Sequence, residues 1–152
     1  MEIRKMDREI AAQISGWQYS GELAIYSQED IADNSSDYFA IYENATLVGF
    51  GVVGDEAMVK EQSPSDDYLD VGLGMNPDLI RRGNGRDFTL AVLENAKRIA
   101  AGKGFRGLRC AILDWNIVSQ KMATTHGFRH ARDISNDGGT FKEFELDISP
   151  GL

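Results

Sequence analysis

Cysteine and histidine are almost missing from this 152-residue chain, which has one cysteine, Cys110, and two histidines, His126 and His130. One thiol excludes an internal disulfide, and so few soft ligands exclude a Cys/His zinc constellation. Cys110 sits in an apolar run and reads as a small buried hydrophobe; both histidines read as structural. Long apolar runs are also missing. None reaches the roughly 18 residues that a spanning helix needs, and Met1-Glu-Ile-Arg-Lys5 lacks the apolar core of a secretory signal, so a soluble, cytoplasmic protein without a membrane partner is expected. Positive charge is scarce as well. With 16 Lys and Arg against 24 Asp and Glu, the net charge is −8, which argues against a duplex nucleic-acid partner and is compatible with a basic substrate or with a charge that serves solubility alone.

The length and the 42% hydrophobic content fit one packed core, so residues 1–148 are expected to form one domain, followed by a short tail at 149–152. Glu2 to Met6 reads as a strand. Asp7 to Gly16 reads as a helix with Ile10, Ala11 and Ile14 on one face. An aromatic segment follows, with Trp17, Tyr19 and Tyr26, and Ser27 to Asp33 has the pattern of a helix start. Tyr38 to Tyr42 and Thr46 to Val53 are β-rich runs close enough for a hairpin, and polar Gly54 to Asp67 is expected to be a mobile connection. Tyr68 to Met75 is a further strand on which Asp70, Gly72 and Gly74 share one face. Those glycines leave bare backbone, either for close packing of a helix or for a ligand lying along the strand. A long amphipathic helix is expected from Asp87 to Ala101 with Phe88, Val92, Ala96 and Ile99 at helical spacing. After it come a near-continuous apolar strand from Leu108 to Leu113, a helix from Asn116 to Thr125, and a closing strand pair at Phe128–Arg132 and Phe141–Leu146. There is no internal repeat and no low-complexity segment.

The positive charge that does exist is concentrated. Pro77 to Arg86 reads Pro-Asp-Leu-Ile-Arg-Arg-Gly-Asn-Gly-Arg, with Arg81, Arg82 and Arg86 set among Gly83, Asn84 and Gly85 directly before the long helix. Glycines allow close backbone approach, and a helix start presents outward amides, so this is an anion-binding loop by composition. The chain has no Gly-x-x-x-x-Gly-Lys-Ser/Thr string, and Phe88 holds the third glycine place of a dinucleotide fingerprint, which sets those two nucleotide patterns aside.

The order of strand, Asn76-Pro77, basic Gly-x-Gly loop, long helix, apolar strand, Asn116 and a short helix closing in Gly127-Phe128 resembles the GNAT superfamily of N-acetyltransferases over nearly the whole chain, from Glu2 to about Leu146. The resemblance implies an α/β (α+β) fold: a mixed, mostly antiparallel sheet of six to seven strands with a splayed central pair, flanked by about four helices. It implies acetyl-coenzyme A as co-substrate, with Leu73, Gly74 and Met75 pairing with the pantetheine arm. Arg81, Arg82, Gly83, Asn84, Gly85 and Arg86 would receive the pyrophosphate, and Asn116 would contact the cofactor or cap its helix. The reaction implied is acetyl transfer to a primary amine of a small molecule or peptide, with Asp70 as candidate base, Tyr68 in reserve and Tyr26 as candidate proton donor. Trp17, Tyr19 and Tyr26 would wall the amine pocket or belong to the core. Many members pair, so a homodimer is among the expectations. The sequence departs from the pattern at Ile80, where Gln or Arg is usual, and at Ala123, where a tyrosine near the thioester sulfur is usual. The alternative reading is therefore an acyl-coenzyme A binding module without catalysis.

Overall fold

The computed structural model describes residues 1–19 and 36–148. These residues form, in order, β1 (Glu2–Lys5), α1 (Arg8–Ser15), β2 (Tyr38–Glu43), β3 (Thr46–Val53), β4 (Tyr68–Met75), α2 (Gly85–Gly102), β5 (Gly107–Leu113), α3 (Ile117–Thr125), β6 (Arg129–Asn136) and β7 (Gly139–Asp147). The strands make one seven-stranded sheet in the order β1-β2-β3-β4-β5-β7-β6, mostly antiparallel, with β4 and β5 running parallel. Three α-helices stand among the described residues, against about four expected; the helix expected at Ser27 to Asp33 lies outside them, as do Tyr26 and the tail 149–152.

The chain divides into two compact units, Met1–Val52 with Leu73–Leu93, and Val53–Gly72 with Glu94–Leu152. In the first unit α1 starts where the Asp7 side chain accepts from the Ile10 N–H at 2.8 Å, and its apolar stripe Ile10, Ala11 and Ile14 is buried as the spacing required. β2 and β3 form the expected hairpin, turned at Asn44 and Ala45, both with positive φ (51° and 73°), the combination that matches strand twist in a two-residue turn. Gly49 and Gly51 lie on one face of β3. A Cβ at Gly49 would stand 2.5 Å from the Phe88 ring, and one at Gly51 would stand 2.3 Å from Phe39 and 3.0 Å from Val92. The first turns of α2 therefore seat their apolar residues on bare β3 backbone.

In the second unit β5 pairs along its whole length with β7, from Gly107↔Asp147 to Leu113↔Phe141. Gly54 to Asp67, expected as a mobile connection, is tied to β6 and β7 at several points. Gln62, 8% exposed, donates from Nε2 to Glu143 Oε1 at 2.9 Å, Asn136 Nδ2 donates to the Lys60 carbonyl at 2.8 Å, and Lys60 pairs with Asp137 at 3.1 Å. A polar loop satisfies buried polar groups here, a duty that its composition does not announce. β6 and β7 run past the expected limits to meet at Asp137-Gly138. β6 is exposed and polar, so hydrophobic periodicity does not mark its end.

Candidate functional site

The loop after β4 is built by local hydrogen bonds. Asn76 Oδ1 accepts from the Asp78 N–H at 3.0 Å, starting a 3-10 turn over Pro77–Leu79, and the Arg82 N–H donates to the Leu79 carbonyl at 3.3 Å. Arg81 and Gly83 take positive φ, 66° and 88°, and a Cβ at Gly83 would meet nothing within 4 Å. The glycine is thus required by backbone conformation, and open space lies before it. The Asn84 carbonyl accepts from the Phe88 N–H at 3.0 Å, which opens α2 and leaves the amides of Gly85, Arg86 and Asp87 without a carbonyl partner inside the helix. Arg81, Arg82 and Arg86 are exposed, and none pairs with a described carboxylate. Asp87 is the one acid in that first turn, and it is exposed as well.

Immediately before the loop lies the end of β4. The Asn76 N–H donates to the Val48 carbonyl at 2.7 Å, so by strand alternation Leu73 and Met75 turn their main-chain groups away from β3. Leu73 is 45% exposed. Gly74, one of the two glycines read as bare backbone, is covered by a side chain rather than by a helix: a Cβ there would stand 2.4 Å from the Phe50 ring. Phe50 also meets Trp17 at 6.3 Å and Tyr38 at 5.8 Å between ring centroids. Tyr19, buried, donates its hydroxyl to the Met75 carbonyl at 2.7 Å. Trp17 accordingly joins an aromatic cluster with Phe50, and Tyr19 is tied to the end of β4.

Asp70 lies in the second unit. Both of its oxygens accept from Arg109, at 2.7 and 2.9 Å; Arg109 also pairs with Glu143 at 3.3 Å, and Glu143 pairs with Arg132. One residue from each of β4, β5, β7 and β6 thus forms a lateral rank of alternating charge, of which Asp70, Arg109 and Glu143 are 6%, 3% and 1% exposed. Burial raises the Asp70 carboxyl above the ordinary value, outweighing the neighbouring guanidinium. Tyr68, buried, donates to Asp147 at 2.5 Å, and that hydrogen bond raises its hydroxyl pKa. Asn116 caps α3, its Oδ1 accepting from the Ser119 N–H at 3.3 Å. Ala123 is 8% exposed in α3. Cys110, read from the sequence as buried, is half-buried, and desolvation pushes its thiol up to about 12, far from a nucleophilic thiolate at neutral pH.

The loop and strand end, Leu73 through Arg86, are brought together in the first unit; Tyr68, Asp70 and Asn116 belong to the second. Sequence reasoning missed Arg109 and Glu143. The signal was a lone arginine inside the apolar run Leu-Arg-Cys-Ala-Ile-Leu, since a charge in a buried strand requires a partner.

No protein-family model and no curated protein matches the sequence. Solved structures do. An N-acetyltransferase from Staphylococcus aureus Mu50 superposes with a TM-score of 0.69 at 19% identity, covering 96% of this chain and 97% of that one. A Salmonella typhimurium protein solved with its cofactor acetyl-CoA gives 0.66 at 16% identity, covering 98% and 94%. A Bordetella pertussis protein placed in the GNAT family gives 0.56 at 17% identity over 71% of this chain and 64% of that longer one, so this chain spans just under two thirds of its length. Strand order, loop position and these superpositions agree that the chain adopts the GNAT acetyltransferase fold.

Proposed function

We propose that the chain is an N-acetyltransferase that carries an acetyl group from acetyl-coenzyme A to a primary amine of a small molecule or peptide, by direct attack with both substrates bound. The observation that carries this reading is the continuity of the outward edge Leu73–Met75 with a loop that presents free helix-start amides and three exposed guanidiniums. The residues fit the donor. Leu73 and Met75 would pair with its amide-bearing arm as an added strand. The amides from Arg82 to Arg86, backed by Arg81, Arg82 and Arg86, would hold its pyrophosphate. The donor supplies a thioester, whose carbonyl is the electrophile and whose thiol is the leaving group.

The acceptor amine must lose a proton, since an alkylammonium has a pKa near about 10.4. Asp70 is our candidate acceptor for it. It precedes Leu73 by three residues on β4, and burial moves its carboxyl in the direction that a base acting near neutral pH needs. Arg109 occupies two of the roughly four acceptor positions of a carboxylate and leaves the others. Tyr68, committed to Asp147 and raised, is the poorer choice. Without a tyrosine at 123 the leaving thiolate, of pKa near about 8.5, departs with water as its proton source, forgoing help worth roughly 10² to 10⁴-fold. That same Ala123 favours the second reading, a coenzyme A binding module without turnover.

Thermal unfolding with acetyl-coenzyme A, coenzyme A, NAD and ATP tests the binding. A ligand at 100 times its Kd adds about 2.7 kcal/mol, and the expected shift appears with the two coenzyme A forms alone. Thiol release with polyamines, amino acids and basic peptides then tests transfer. Binding with no amine-dependent release across the panel favours the second reading; no shift with either coenzyme A form overturns both.

A further inference from the structure

The proposed reaction leaves the Tyr19 hydroxyl without a task, yet its position is specific. It donates at 2.7 Å to the main-chain carbonyl of Met75, 56 residues along the chain, from a buried ring. A phenol is buried at a cost unless its O–H finds an acceptor, and burial raises this one to about 12, so it keeps its proton and acts as a donor. The adjoining residue is gripped from the opposite edge. The Asn76 N–H donates to the Val48 carbonyl at 2.7 Å, its Nδ2 donates to the Leu47 carbonyl at 3.0 Å, and its Oδ1 accepts from the Asp78 N–H. The Met75–Asn76 peptide is therefore clamped between Tyr19 on one side and β3 on the other, at the point where β4 becomes the basic loop. Trp17, Phe50 and Tyr38, in ring contact, hold the arm that carries Tyr19.

We infer that Tyr19 is a positioning residue for the amide-bearing arm of the ligand: its hydroxyl fixes the orientation of the Met75 carbonyl on the edge that receives that arm. The inference rests on the reading of this chain as a coenzyme A binder. A carbonyl oxygen has two lone pairs, so the contact with Tyr19 leaves one for a ligand N–H. With the hydroxyl gone, the Met75 peptide rotates more freely, and ordering it is charged to each binding event.

Tyr19→Phe removes the hydroxyl and keeps the ring. Calorimetry should find coenzyme A bound roughly three- to tenfold more weakly, the range set by one hydrogen bond. NMR titration with the nucleotide half alone, 3′-phosphoadenosine 5′-diphosphate, should give an unchanged Kd, because that half engages only the loop; it also reports that the variant is folded. A coenzyme A change below threefold, or an equal loss for the nucleotide half, overturns the inference. Absence of coenzyme A binding by the unmodified chain overturns the reading beneath it.

Discussion

Arg109 illustrates how one side chain can be fixed by neighbours far away in sequence. It stands between Asp70 and Glu143, all three nearly inaccessible; Glu143 keeps Arg132 and Gln62, so removal of Arg109 strands the Asp70 carboxylate in a low-dielectric interior. Breaking a buried pair by deleting one partner costs about 3–5 kcal/mol, and Arg109→Met is expected to lose that much in urea unfolding. The loss should depend on pH with a definite sign. Asp70 is already raised by burial, and without the guanidinium that opposes the rise it moves further up. An acid whose folded pKa lies above its unfolded one contributes stability at low pH that is lost as pH rises through the folded value. The deficit of Arg109→Met should therefore shrink between pH 8 and pH 5, and a deficit constant across that range would contradict the rank as described.

At the scale of elements, the packing of α2 on β3 decides where the basic loop stands, because Phe88 lies in the helix's first turn and touches the glycine face of β3. A methyl group at Gly49 would lie 2.5 Å from the Gly74 carbonyl oxygen and 2.5 Å from the Phe88 ring, and the backbone atom cannot step aside. Gly49→Ala should cost about 1–3 kcal/mol by overpacking and also weaken the proposed coenzyme A binding, since the helix start moves with Phe88. Gly102→Ala, at the other end of α2, meets nothing within 4 Å and should be neutral or stabilising by about 0.4–1 kcal/mol. Equal effects of the two would remove the special role of the β3 face. The elements were largely legible in the sequence: β4 matches its expected limits, and α1, β3, β5 and α3 differ by at most one residue at either end. The partner of each glycine was not. Gly74 was read as a bare stripe, but the residue that covers it, Phe50, comes from a strand whose register the alternation alone does not fix.

For the molecule as a whole, sequence located the basic loop because Gly83, Asn84 and Gly85 carry local backbone instructions, whereas Tyr19 on Met75 and Asp70 on Arg109 are contacts between distant segments that no local pattern encodes. The same distinction governs how this acidic chain responds to pH. Asp147, near the end of β7, accepts from the Tyr68 hydroxyl at 2.5 Å, from Arg106 at 3.1 and 3.2 Å and from Arg129 at 3.5 Å. The Tyr68 hydrogen bond first, and then the guanidinium of Arg106 and that of Arg129, hold its carboxyl below the ordinary value. Asp133 is lowered in the same way, chiefly by its hydrogen bond to His130. For a depressed acid the stabilisation is present above the unfolded pKa, near about 3.9, and is lost as pH falls through the folded value. Asp70 works in the opposite sense. Asp147 and Asp133 should therefore contribute to acid unfolding below about pH 4, and Asp147→Asn should lower the urea midpoint at pH 7. As the pH falls toward 2 the carboxylate of the unmodified chain takes up its proton, so the two midpoints should draw together. A gap that persisted undiminished to pH 2 would mean that Asp147 contributes through packing of its neutral form and not through charge.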